Sequence, residues 1–343
     1  MEDFLDTQNI GDLEPKDSPP SNLPPLPTYE ETEREIQENG CGMFKVLSAN
    51  ETITEAAKRP DPKPLWLSLW YEGEVCCLYA DSNVGKSVYA VQIATSIAQN
   101  EKVLYFDFEL SDKQFQLRYT DDSGNAHQFP DNLFRSEINP DTMEVEVDFE
   151  SAVIRDIEKT ALIMGINIII IDNLTWLCNA SQKGEAAGLL MKSLMGLKRK
   201  HGWSFLVIAH TPKRSLTNPI TQNDLAGSKI IFNFLDSAFS IGFSAKDDGL
   251  RYIKQTKVRS GELLYNSQNV IVCSIEKIGS FTQFNTIGYA TEKEHLQSTS
   301  TKEEIALQEA VYNLHLEGKS YRVIANQLGI SKGKVEGIMK KYK

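Results

Sequence analysis

One stretch, VCCLYADSNVGKSVYAVQIATSIA at residues 75–98, limits the possible folds more than any other part of the chain. An unbroken apolar run enters a polar loop, and a segment with Val91, Ala94 and Ala98 on one helical stripe leaves it. A strand that is apolar on both faces must be covered on both faces, which is the setting of a parallel sheet between helices. The alternation then repeats. VLYFDF (103–108), NIIIID (167–172) and SFLVIA (204–209) have strand length, while ESAVIRDIEKTALIMG (150–165) and the segment from about Gly184 to Lys200 have helical period. This pattern predicts an α/β fold, a mostly parallel sheet with helices on both faces. Beyond about Ser237, AFSIGF, RYIKQTKV, NVIVCSIEK and FTQFNTIGY succeed one another with no helix between them, which predicts an antiparallel extension at one sheet edge. No internal repeat is visible.

The net charge of −11 is unevenly spread along the chain. Residues 1–40 hold eleven Asp and Glu against Lys16 and Arg34, a balance of −9, so the remainder carries only −2. Prolines at 15, 19, 20, 24, 25 and 27 and a shortage of aromatics mark 1–40 as a disordered tail that cannot bury enough surface to order itself. Its role is that of a solvating tail, of a docking peptide for a protein partner, or of an acidic mimic that competes with DNA for basic sites. The expected order is this tail, a body over 41–290, a polar linker over 291–301 and a small all-helical module over 302–343. From Lys319 onward seven Lys and Arg face Glu336 alone, a balance of +6. No run approaches the roughly 18 apolar residues of a membrane helix, and the acidic start lacks a secretion signal. Five cysteines without C-x-x-C spacing fit reduced thiols in the cytoplasm, and the histidines never pair with them at zinc spacing.

The loop itself nearly matches the phosphate-binding pattern G-x-x-x-x-G-K-[ST]. Gly85, Lys86 and Ser87 are in place, and Ala80 stands where the first glycine belongs. Such a loop turns backbone N–H groups inward on phosphates and adds the positive end of the next helix. The first glycine eases the turn out of the strand, and alanine is tolerable there while φ stays negative. The candidate nucleotide contacts are Ala80, Asp81, Ser82, Asn83, Val84, Gly85, Lys86, Ser87 and Val88, with ATP and Mg²⁺ as cofactors. Lys86 would reach the terminal phosphates, and Ser87 would offer its hydroxyl to Mg²⁺. Asp172, closing IIIID, would hold the same ion through water. Asn173 follows it, so the base that activates water has to come from elsewhere. Glu109 at the end of VLYFDFEL is the candidate, with Asp107 as the alternative; Ser111 and Gln114 form a capping box that opens the next helix.

ADSNVGKS, VLYFDFEL, IIIIDNLTWL and VIAHTPKR, in that order, resemble the RecA-like ATPases, in the branch of plasmid RepA-type and replicative hexameric helicases. The lead-in FKVLSANETITEAAKRPDPKPLWLSLWYEGE is similar to that branch too, and the resemblance spans about 44–262. It implies a ring, often a hexamer, with ATP between subunits and single-stranded DNA in a central channel. It implies a γ-phosphate sensor at His210 and a channel loop in TPKRSLTNPITQND, where Lys213 and Arg214 would touch DNA phosphates. QTKVRSGE resembles the Lys-x-Arg pair such helicases insert into a neighbour's site, here Lys257 and Arg259.

YRVIANQLGISKGKVEGIMKKYK resembles the helix-turn-helix of resolvase-like and sigma-factor-like domains. Ala325 is small where two helices would cross, Gly329 permits the turn, Ser331 would cap the second helix, and Val335 and Ile338 would face inward. Ser331, Lys332, Lys334, Lys340 and Lys341 are the candidate contacts to duplex DNA, and lysine favours phosphate over base reading. The expectation is an ATP-hydrolysing DNA motor or helicase-like protein serving replication or mobilisation of a genetic element. An ATP-switched regulator reading DNA through its tail, and an ATPase that loads or remodels a partner protein, remain open beside it.

Overall fold

The computed structural model describes residues 28, 44, 46–139, 149–177, 185–212, 214–225, 228–297 and 302–342. Apart from Thr28, the acidic segment 1–40 lies outside them. The chain divides into two compact units, Met1–Asp61 and Pro62–Lys343. The described part of the first unit is centred on helix α1 (Ala49–Ala57). Ser48 accepts from the Glu51 amide, and Glu51 accepts from the Ser48 amide, satisfying two of the orphan donors of the first turn.

The second unit holds a nine-stranded sheet. In chain order its elements are a short ribbon of β1 (Pro64–Trp66) and β2 (Trp70–Tyr71), then β3 (Val75–Ala80), α2 (Lys86–Ile97), β4 (Val103–Asp107), α3 (Asp112–Arg118), β5 (Leu133–Ser136), α4 (Phe149–Met164), β6 (Ile168–Asp172), α5 (Leu174–Leu177), α6 (Glu185–His201), β7 (Ser204–His210), α7 (Ser228–Phe234), β8 (Ser237–Phe243), β9 (Leu250–Lys257), β10 (Val270–Ile278) and β11 (Phe281–Ala290). The sheet runs β11-β10-β9-β8-β3-β7-β6-β4-β5. From β8 to β5 the pairings are parallel, and β9, β10 and β11 continue antiparallel beyond β8. The α/β architecture with its antiparallel edge is the one expected. Strand β5, the ribbon β1–β2 and helix α7 were not anticipated, being short or weakly patterned.

Strand alternation divides the core in two. Ile169, Ile171, Phe205 and Val207 pack with Ile157 of α4 and Leu190 and Leu194 of α6 on one face. Ile168, Ile170, Leu206 and Ile208 pack with Tyr89, Ile93 and Ile97 of α2 on the other. Burying each such side chain contributes about 1.5–3 kcal/mol. Three helices, α8 (Lys302–Leu316), α9 (Tyr321–Leu328) and α10 (Lys332–Met339), form a separate small core around Val311, Ile324, Ala325, Val335, Ile338 and Met339. Gly329 ends α9 with φ 65°, a left-handed value that favours glycine, and Ser331 caps α10 by accepting from the Lys334 amide. Among the described residues no helix is long and apolar enough to cross a membrane.

The expected linker over 291–301 is corrected at its start. Glu292 and His295 are buried, and Glu292 forms an ion pair of 2.6 Å with Lys254 of β9. Lys254 also donates to the Ile220 carbonyl at 2.7 Å, while Glu292 accepts from the Ile220 amide at 2.7 Å. Three segments meet in one clasp, so 291–297 belongs to the body, and 298–301 lies outside the described residues. Breaking one side of a buried pair leaves an uncompensated charge. Lys254→Met should therefore lower unfolding free energy by about 3–5 kcal/mol. Lys254→Met/Glu292→Leu should recover most of that loss in the same denaturant titration.

Candidate active site

Strands β3, β4, β6 and β7 run parallel, and their carboxyl ends meet at one edge, where Ala80 pairs with His210 and Asp107 with Asp172. Ala80 stays within strand β3 and is fully buried, so the missing glycine costs the turn nothing. Two later residues take left-handed values, Asn83 with φ 63° and Gly85 with φ 105°, and Gly85 is the N-cap residue just before α2. The ammonium of Lys86 lies inside the loop, donating to the carbonyls of Ala80 at 3.1 Å and Asp81 at 2.8 Å. Burial lowers its pKa, against the pull of Glu109, Asp172 and Asp81.

Asp172 is 1% exposed. Its Oδ2 accepts from the Tyr105 hydroxyl at 2.7 Å, and its Oδ1 has no hydrogen-bond partner among the described residues. Burial pushes the carboxyl up to about 6, although the Ser87 and Tyr105 hydroxyls hold it down. An orphaned, desolvated carboxylate oxygen with the Ser87 hydroxyl as neighbour is a donor set suited to a hard divalent cation such as Mg²⁺.

Glu109 stands where the sequence places it, at this edge. Its Oε1 accepts from Asn173 Nδ2 and lies 3.2 Å from His210 Nε2, which is itself 3.2 Å from Asn173 Nδ2. The His210 hydrogen bond, ahead of the charges of His210 and Lys86, holds the carboxyl of Glu109 below its usual value. Asp107 is otherwise employed. Its Oδ1 accepts from the amides of Glu109 and Leu110, and its Oδ2 pairs with Arg135 at 3.0 Å. It builds the turn that presents Glu109.

Several expected positions fall elsewhere. Arg214 does not face outward: its side chain is 7% exposed and pairs with Asp81 of the loop at 3.2 Å, beside a Thr211 hydroxyl that donates to the same carboxylate. Its guanidinium is therefore committed within the chain. Lys213 lies outside the described residues. Lys257 and Arg259 stand at the opposite sheet edge, since Lys257 pairs with Ala238 and Ala238 with Cys77 near the start of β3. Lys257 donates to the Phe232 carbonyl at 2.6 Å, and Arg259, half exposed, pairs with Asp236 at 3.2 Å. Both are engaged at that edge, away from the phosphate loop of their own chain. On α10, Lys332 and Lys334 are exposed, Lys332 lies 3.2 Å from Glu336, and Lys340 just beyond the helix is exposed too. The side chain of Lys341 lies outside the described residues, and the Ser331 hydroxyl is used as the cap.

Sequence reading missed Tyr105, Asn173 as a ligand of Glu109, and Arg251, whose Nε donates to the Val84 carbonyl at 3.1 Å. The one available signal was the alternation in VLYFD, which places Tyr105 and Asp107 on the same face of β4. In Mg²⁺-free buffer Asp172 raises a stability prediction. Its folded pKa is above its unfolded value, so the carboxyl costs stability above about pH 6 and nothing below about pH 4. Asp172→Asn should raise unfolding free energy at pH 7.5 by on the order of 2 kcal/mol, a gain that shrinks at pH 5.

Solved structures share the fold at low identity. The "ATPase Domain of G40P" superposes with a TM-score of 0.52 at 11% identity, over 70% of this chain and 99% of that one. "The Structure Of A DnaB-Like Replicative Helicase And Its Interactions With Primase" gives a TM-score of 0.50 at 12% identity, over 74% of this chain and 71% of that one. At such identities the likeness concerns fold alone. No curated protein matches the sequence. Residues 44–215 match the AAA domain family, AAA_25, and this span contains the phosphate loop, Glu109, Asp172 and His210 while leaving Lys257 and Arg259 outside. The match extends over half of the chain, and the chain belongs to the AAA domain family.

Proposed function

We propose that this protein is an ATP-hydrolysing, ring-forming motor on DNA, with Mg²⁺ as its metal. The observation that carries the reading is the junction of Glu109, Asn173 and His210 beside Lys86 and Asp172, a carboxylate held ionised next to a phosphate-type loop. Lys86, the loop amides of Ala80–Val88 and the α2 N-terminus hold the phosphates. Ser87 and Asp172 hold Mg²⁺, which would neutralise charge on the phosphate oxygens. Glu109 orients the attacking water and accepts its proton; Asn173 and His210 fix the carboxylate, and His210 faces the terminal phosphate.

Lys257 and Arg259 act in a second copy of the chain. Their position at the sheet edge away from their own loop supports this, as does the half-exposed guanidinium of Arg259. A cation supplied in this way stabilises charge developing in phosphoryl transfer. Lys213, on the loop after β7, is the proposed contact to single-stranded DNA, and Arg214 is withdrawn from that role. Lys332, Lys334, Lys340 and Lys341 bind duplex phosphates, supported by the +6 balance of the C-terminal stretch and the exposed lysines at the start of α10. A relative by fold is titled a DnaB-like replicative helicase, which agrees with a role in replication. The acidic N-terminal segment is proposed to dock a protein partner.

Shared sites make a complementation test. Lys86→Ala and Arg259→Ala should each lack turnover alone, and mixing the two should restore part of it, because some sites then combine an intact loop with an intact cation. Mixtures as inactive as their components would contradict sharing. For the C-terminal module, Lys332→Ala/Lys334→Ala should weaken duplex binding uniformly across sequences and reduce the salt slope by about 2. An unchanged slope would remove these lysines from the contact.

A further inference from the structure

The loop is braced from outside by the antiparallel extension of the sheet. Val84 lies between the two left-handed residues, and its carbonyl accepts from Arg251 Nε at 3.1 Å. Arg251 is the second residue of β9, and its guanidinium lies 4.5 Å from the ring centre of Phe243, its cross-strand partner on β8. Its Nη1 donates to the carbonyls of Asp248 at 2.6 Å and Leu250 at 2.8 Å. No carboxylate pairs with it among the described residues, so every hydrogen bond it makes there is to a backbone oxygen. Arg251 is only partly buried, so water shares in its solvation and no carboxylate partner is required. Here the orientation of a loop carbonyl is what the guanidinium holds.

The neighbouring hairpin adds two more points of support. A Cβ on Gly85 would lie 2.9 Å from Ile275 Cδ1 and 2.9 Å from Phe284 Cζ, so β10 and β11 close directly over the loop's last turn. Gln92 of α2 exchanges two hydrogen bonds with the backbone of Phe284, at 2.8 and 2.9 Å.

We infer that Arg251 is a positioning residue for nucleotide: by fixing the Val84 carbonyl toward β9 it turns the Gly85 amide the other way, into the phosphate cradle. A trans peptide carries its C=O and N–H on opposite sides of a rigid plane, so holding one sets the other. The amide is then aimed before nucleotide arrives and loses little freedom on binding. Loop shape is thus secured by an arginine about 170 residues away in sequence rather than by a glycine at position 80.

This rests on the proposal that the loop binds ATP. The test is MgATP affinity and steady-state kinetics of the full chain, with Arg251→Ala and Arg251→Gln. Arg251→Ala should bind MgATP about tenfold to a hundredfold more weakly, with KM rising more than kcat falls. Arg251→Gln, whose amide can still donate to Val84, should recover most of the affinity without the charge. Unfolding temperatures of both variants report folding separately. Unchanged affinity in Arg251→Ala, or a folded Arg251→Gln as weak as the alanine variant, would overturn the inference while leaving nucleotide binding intact. A wild-type chain that binds no MgATP would overturn the proposed function itself and this inference with it.

Discussion

Strands β3, β4, β6 and β7 are buried on both faces almost to their last residues, and everything polar in the site follows from that. A doubly covered strand can place a charged group only where cover ends. Because the four run parallel and in register, their carboxyl ends coincide, and the groups that succeed them are forced together. The phosphate loop, Asp172 and Asn173, His210, and the turn carrying Glu109 come from four separate parts of the chain. Ligands gather at such an edge in open α/β sheets for the same reason.

That gathering is electrostatically uneasy. Lys86 is desolvated enough to lose part of its basicity, and Asp172 is buried enough to hold its proton up to about pH 6. Neither has a full salt-bridge partner among the described residues, and both are pulled in the direction that an added phosphate and cation would relieve. Glu109 differs: His210 and Asn173 keep it ionised, which suits a group that must accept a proton. The Asp81–Arg214 and Glu109–His210 contacts tie the end of β7 and the start of the loop after it to the phosphate-type loop and to Glu109.

Local chemistry was legible in the sequence. The strands of the sheet's centre, the helix after the loop, the Ser111–Gln114 capping box and the edge position of Glu109 all depend on residues within a few places of one another. What escaped was long-range pairing. Arg214 is exposed by composition and loop context, yet Asp81, 133 residues earlier, takes it inward. Glu292 sits in a stretch polar enough to pass for a linker, and only the fold brings Lys254 and Ile220 to it. Edge position favoured Glu109 over Asp107 in the sequence, but the reason for the difference was not visible there. Their difference lies in Arg135 and two backbone amides, which occupy one carboxylate and leave the other facing the site.

The central claim is that Glu109 is the group that activates water for a nucleotide held by Lys86. The direct measurement is ATP turnover by the full chain with Mg²⁺, in the absence and presence of single-stranded DNA, comparing wild type with Glu109→Gln and scoring MgATP affinity of both. The account predicts turnover that single strands stimulate, and a Glu109→Gln variant that still binds MgATP but turns over about a hundredfold to ten-thousandfold more slowly. A Glu109→Gln variant that hydrolyses ATP at the wild-type rate would contradict it, and so would a wild-type chain that binds MgATP and never turns it over.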